Sequence, residues 1–171
     1  DSGYACETLI GEPGVNDGEF GHIVPRGIVL DDEGRVYVAD DWNSRVQVFD
    51  ADGAFLTSVE GGWNKQFATI EGVAVNKSGE IFIADLFHHS IQIFSPGVPD
   101  WKQVNLNGFG SKSITQVSSI AEFESQLYVG TSRLVGAGSI WRSNDGENWS
   151  EISNSFDPDS GITDLEKFNG Q

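Results

Sequence analysis

The side chains able to recognise a ligand or hold a metal fall into two stretches of this chain, one repeat length apart. His22, Arg26, Asp41, Trp42 and Asn43 lie in the first, and Glu71, Phe87, His88 and His89 in the second. Trp42-Asn43 and Phe87-His88 occupy matching places 45 residues apart. Aromatic rings beside guanidinium, imidazole and carboxylate groups are what a recognition surface uses. Imidazoles and carboxylates together are also what a metal site uses. The metal reading meets a geometric obstacle, because neighbouring strand residues such as His88 and His89 point to opposite faces. Arg26, Asp41, Trp42, Asn43, Phe87 and His88 are therefore expected to contact a partner. His22, Glu71 and His89 are the weaker metal candidates. Asp50-Ala51-Asp52-Gly53 begins like a calcium loop but lacks the further oxygen ligands and the closing Glu, so structural calcium there is a minor expectation and no other cofactor is expected. Nucleophile elbows, zinc-protease signatures and phosphate-binding loops are all missing, and no catalytic residue can be named.

The elements that carry these residues are constrained by composition. The chain has 171 residues, enough for one domain with a substantial core. Its 10 Lys and Arg stand against 26 Asp and Glu, a formal charge of −16. Such a surface repels phosphate backbones, which argues against nucleic-acid partners and adhesion to anionic membranes. Apolar runs are short, as in Val36-Tyr37-Val38-Ala39, so insertion across a bilayer is not expected. With 21 Gly and 5 Pro the chain favours turns over long helices. Cys6 is the single cysteine, so no internal disulfide can form, and a buried thiol or a half-cystine to another chain are its two readings. The sequence has no Met, which fits a processed form or a piece of something longer.

Residues 25–50 repeat at 70–95. Gly27, Gly34, Ala39, Asp40, Gln47 and Phe49 meet Gly72, Gly79, Ala84, Asp85, Gln92 and Phe94, with Val36/Ile81, Val38/Ile83, Val46/Ile91 and Val48/Ile93 conserving apolar character between them. The module continues near 116 and again near 161. Each module reads as four short β-rich strands separated by Gly-containing turns, at 27–30, 35–39, 45–49 and 54–59 in the first and at 118–123, 126–130, 139–142 and 149–153 in the third. No stretch has helical periodicity. Four strands per repeat of this length is the pattern of β-propeller blades. The fold expected is all-β, a propeller of antiparallel four-stranded blades. Residues 1–171 form one domain: 1–24 an outer strand and connection, then blades at 25–69, 70–115 and 116–160, with 161–171 opening the next. Val36, Val38, Val46, Val48, Ile81, Ile83, Ile91 and Ile93 should be buried between sheets.

The run from Pro25 to Phe49, through Arg26, Gly27, Asp31, Gly34, Ala39, Asp40, Asn43, Arg45 and Gln47, resembles the NHL repeat, a propeller-blade family. The lead-in Gly18-Glu19-Phe20 fits it as well. The second copy departs at Ile70, His88 and Ser90. The resemblance implies the fold and leaves function open, since such blades serve binders and enzymes alike. It also implies that Asp40 and Asp85 end an inner strand and brace the neighbouring turn. Residues 139–149 resemble the Asp-box turn of sialidase-type propellers through Ser143, Asp145, Gly146 and Trp149, a structural turn in those families.

Strand alternation places the turns between second and third strands, and the connections between blades, on one face. That face collects the polar-aromatic set. The function expected is a non-catalytic, secreted or cell-surface propeller that binds a protein or glycan through it. An enzyme of the metal-dependent lyase or lactonase kind, or a self-assembling subunit, are the alternatives. One outer strand at 4–11 and one inner strand at 161–168 do not make a fourth blade, so an open arc completed by other copies or other sequence is expected.

Overall fold

The computed structural model describes residues 9–22, 25–61, 67–97, 102–104, 109, 114–133, 137–153, 162 and 165. The lead-in forms β1 (Glu12–Pro13) and β2 (Glu19–Phe20), a short parallel pair. The first sheet is β3 (Ile28–Leu30), β4 (Val36–Asp40), β5 (Arg45–Phe49) and β6 (Phe55–Glu60). The second is β7 (Ile70–Val75), β8 (Ile81–Asp85), β9 (Ser90–Phe94) and β10 (Lys102–Gln103). The third is β11 (Ile114–Phe123), β12 (Gln126–Arg133), β13 (Ser139–Ser143) and β14 (Ser150–Ser153). Each four-stranded sheet is an antiparallel meander in chain order. A 3-10 turn at Asp41–Asn43 is the one helical element among the described residues.

Sheets stacked face to face bury both surfaces of their middle strands, and β4, β5, β8 and β9 are almost continuously buried. Tyr37, Ala39, Val46 and Val48 of the first sheet share one core with Val73, Val75, Ile81 and Ile83 of the second. One repeat later, Phe82, Ala84, Ile91 and Ile93 share a second core with Val117, Ile120, Leu127 and Val129. Close approach depends on glycine. A Cβ on Gly27 would sit 3.2 Å from the Val73 amide, and one on Gly72 would sit 3.1 Å from the Ile120 amide. Outer aromatics close the joints: Phe20 packs on Phe49, Phe67 on Phe94 and Phe109 on Trp141.

The first-to-second-strand turns of the first two sheets use one device. Asp31 Oδ1 accepts the Glu33 and Arg35 amides, and Asn76 Oδ1 accepts those of Ser78 and Glu80. Asp50 does the same in the later turn for the amides of Asp52 and Ala54, so its carboxylate serves the turn.

Four details differ from the sequence reading. The lead-in pair is parallel, with Glu12 opposite Glu19 and Pro13 opposite Phe20, where only antiparallel strands were expected. Most of 4–11 lies outside the described residues, and Leu9–Gly11 is not strand. The third sheet starts at Ile114 and absorbs extra residues through bulges between Ile114 and Gln116 and between Val117 and Ser119. Val36 is half-buried, opposite the exposed Leu30 at the start of β4, while the other seven residues expected inside are buried. Of 161–168, only Ile162 and Leu165 are described. Ile162 lies against the third sheet, where a Cβ on Gly130 would collide with it and the Ser118 hydroxyl donates to its carbonyl.

Candidate functional site

The face bearing the polar-aromatic set is built on two buried carboxylates. Asp40, at the end of β4, accepts hydrogen bonds from the Gly21 amide (3.2 Å), Asn43 Nδ2 (2.8 Å), Arg45 Nε (3.0 Å) and Gln47 Nε2 (3.1 Å). Asp85, at the end of β8, accepts from the Ala68 amide (3.2 Å), His88 Nδ1 (2.8 Å) and Gln92 Nε2 (2.8 Å). Each carboxylate ties the arriving connection to the following turn. A buried carboxylate is tolerated only when its lone pairs are filled this completely. His88 takes over the donor role of Asn43, so the second copy keeps the network with a different residue. Ser90 stands in the place of Arg45. Ser44 and His89 are equivalent too, with φ of 53° and 52°, closing both turns in the left-handed region.

Arg45 is buried and also donates Nη2 to the carbonyls of Asn16 (2.6 Å) and Glu19 (2.9 Å), which pins the lead-in. Gln47 does likewise: its Oε1 accepts the Gly18 amide and its Nε2 donates to Glu19 O. Gln47 and Gln92 were visible in the sequence only as a repeated identity. Their buried role emerges once Asp40 and Asp85 are seen beside them.

Arg26 opens the first strand of the first sheet. Its Nε lies 3.3 Å from Asp41 Oδ2, and its Nη1 pairs with Glu71 Oε1, the residue one repeat on. Asp41 Oδ1 in turn accepts the Ile70 amide (2.8 Å). Arg26, Asp41 and Glu71 are thus brought together as one ion-paired group across two sheets. His22 is exposed, and Trp63 lies outside the described residues. Among the described residues no group of three His, Cys, Asp or Glu side chains is placed to hold a metal. On the third sheet, Arg133 Nη2 reaches Ser139 Oγ and Glu151 Oε1, both at 3.0 Å.

Trp42 and Phe87 stand apart from these networks. Trp42 is 53% exposed and Phe87 62% exposed, although Trp42 rests against Gly21, where any Cβ would collide with it. Two large rings at the same repeat position therefore face solvent on adjacent sheets. Asn43 and His88 beside them are bound to Asp40 and Asp85, and Asn43 also donates to Gly14 O.

The NHL repeat model matches residues 24–49 and 67–94. Over 47 residues the chain is 51% identical to protein lin-41 of Caenorhabditis elegans, covering 28% of this chain and 4% of that protein. Over 65 residues it is 46% identical to human NHL repeat-containing protein 3, covering 37% of this chain and 17% of that protein. Among solved structures, the nidogen/laminin complex aligns with a TM-score of 0.64 at 18% identity, over 81% of this chain and 50% of that one. A catalytically inactive virginiamycin B lyase from Staphylococcus aureus aligns with a TM-score of 0.60 at 12% identity, over 78% and 42%. The chain is a β-propeller arc of three stacked four-stranded sheets. It spans half or less of each of these four proteins.

Proposed function

We propose that this chain is a non-catalytic binding module that docks a partner protein on the face carrying Trp42 and Phe87. The observation that carries the reading is the exposure of both rings at one repeat position, beside the Arg26–Asp41–Glu71 group. Large aromatics with an arginine at hand are the usual anchors of interfaces. The solved nidogen/laminin complex is a protein complex built with this fold, which supports that use. A glycan would meet the same rings, and a secreted or cell-surface setting belongs to the same reading. The turn at 143–149 is read as an Asp-box-like turn with a structural role, since Asp145 accepts the Glu147 and Asn148 amides and Trp149 Nε1 donates to Gly146 O.

Three of the solved neighbours are lyase structures by name, and the enzymatic reading would need inner-strand ligands. Glu71, which begins such a strand, is engaged by Arg26. That favours recognition over metal chemistry at this point of the fold.

The test is the double variant Trp42→Ala/Phe87→Ala. Both rings are exposed, so the melting temperature should move little, while affinity for a captured and identified partner should fall about a hundredfold if both are anchors. Unchanged affinity would refute the reading. His88 is unsuitable for this test, because its ring is bound to the buried Asp85 carboxylate and its loss would disturb the turn.

A further inference from the structure

The two segments that frame Trp42 turn their arginines inward and their carboxylates outward. The turn at Asp41–Asn43 and the lead-in at 14–21 lie side by side and touch at both ends. Asn43 Nδ2 donates to the Gly14 carbonyl (3.0 Å), and a Cβ on Gly21 would sit 2.4 Å from Trp42 Cδ1. One part of the Trp42 ring is thus seated on backbone, and the rest is open to solvent. Apart from the exposed His22, the basic side chains here are committed within the protein. Arg45 is buried, with Nε on Asp40 and Nη2 on the carbonyls of Asn16 and Glu19, and Arg26 is paired with Asp41 and Glu71. The lead-in carboxylates face the other way. Asp17 is exposed and reaches Arg45 only at 3.4 Å. Glu19 lies over Gly14, where a Cβ would collide with it, and accepts the amide and then the side-chain nitrogen of Asn16. Those bonds hold its carboxyl below the ordinary glutamate range. Glu12, opposite it in the parallel pair, is exposed too, and so is Val15 in the turn between them.

We propose that the protein segment docking at Trp42 and Phe87 is basic, laying an arginine or lysine on the open surface of Trp42 beside the lead-in carboxylates. The inference rests on the docking proposed for these two rings and names the chemistry of the partner. An indole face attracts a cation through its quadrupole, and it does so more strongly than the other aromatic rings. Asp17 and Glu19 add charge of the right sign on the same surface. The long apolar stem of such a side chain also suits this place, since it can cover exposed apolar groups such as Val15 while its head stays near water and carboxylate. An acidic segment would meet like charge, with Arg26 and Arg45 already neutralised by their own carboxylates, and is selected against.

The experiment titrates the isotopically labelled chain with an end-capped peptide, Gly-Leu-Arg-Gly-Leu-Arg-Gly, and with a copy in which citrulline replaces both arginines. Citrulline keeps the shape and most of the hydrogen-bond donors and removes the charge. Saturable shifts of the Trp42 indole N–H and the Phe87 amide are expected with the arginine peptide, and the citrulline copy should bind about tenfold more weakly. Trp42→Leu, which keeps an apolar side chain without the π face, should weaken the arginine peptide by a similar factor when read at Phe87. Asp17→Asn should weaken it about twofold and leave the citrulline copy unchanged. If Trp42→Leu melts early, Asp17→Asn carries the test, because its carboxylate makes only the long contact to Arg45. Equal affinity for the two peptides at the rings would leave the docking reading standing and overturn the basic partner. Parent-like binding of the arginine peptide by folded Trp42→Leu, or shifts spread over the acidic hairpins, would show general attraction to a chain of charge −16 and overturn it as well. The absence of any saturable shift at millimolar peptide would do the same, while the docking reading is decided separately by the captured partner and Trp42→Ala/Phe87→Ala.

Discussion

Asp40 and Asp85 show how one residue type, placed at the end of an inner strand, organises a functional face without itself reaching solvent. Their difference lies in what they neutralise. Asp40 holds the buried Arg45 guanidinium, whereas the equivalent place beside Asp85 is Ser90. Asp40→Ala leaves a buried cation without its carboxylate and should cost about 3–5 kcal/mol. Asp85→Ala strands the Ala68 amide, the His88 ring and the Gln92 amide and should cost about 1–3 kcal/mol. Urea denaturation of the two variants measures both, and an Asp85 variant as damaged as the Asp40 variant would show that the ion pair contributes nothing extra. Trp42 and Phe87 belong to the same scale. Their positions are set by these braced turns, while their rings remain outside the networks.

At the scale of the elements, the turn after β13 is one whose stability depends on charge. Asp145 accepts the amide of Asn148, then its side chain, then the amide of Glu147, and these bonds hold its carboxyl well below the ordinary aspartate range. The folded-state value therefore lies under the unfolded value of about 3.9. The turn's contribution is complete above that pH and is lost as the pH falls through the folded value. The unfolding midpoint should thus fall on acidification below about pH 4. Asp145→Asn should be less stable than the parent at pH 7 and lose less on acidification, as thermal melts at several pH values would show. Because the same turn seats Gly146 on Phe82, loosening it should also expose the second joint.

The molecule as a whole is a stack in which each sheet buries the face of the next. Ile28, Leu30, Val36 and Val38 correspond to Val73, Val75, Ile81 and Ile83, one repeat apart. Val73 and Val75 are 5% and 7% exposed; Ile28 and Leu30 are 66% and 61% exposed. Beside them lies an apolar cavity of about 450 Å³ lined by Ile10, Phe20, Pro25, Ile28, Val36 and Val38. Identical repeat positions should therefore respond oppositely to the same substitution. Val73→Asp buries an unpaired charge and should cost about 3 kcal/mol or more, whereas Ile28→Asp should stay within about 0.5 kcal/mol. Chemical denaturation of both variants decides it. A large loss from Ile28→Asp would mean that something covers this face in solution, and sedimentation at several concentrations would then show whether a second copy does.

The repeat, the strands and the buried alternation were legible in the amino-acid order because they depend on local chemistry. Side-chain alternation, β-branched runs and glycine turns act within a few residues of one another, and a periodic core must repeat its apolar positions. The glycine pairs and the aspartate ending each inner strand were readable for the same reason. What His88 does was not readable, because an imidazole looks free to bind a partner until Asp85 is found 2.8 Å away. Nor could the order of residues pair Arg26 with both Asp41 and Glu71. Those outcomes depend on how far one sheet leans on the next, a distance set by packing across the whole stack and carried by no single residue.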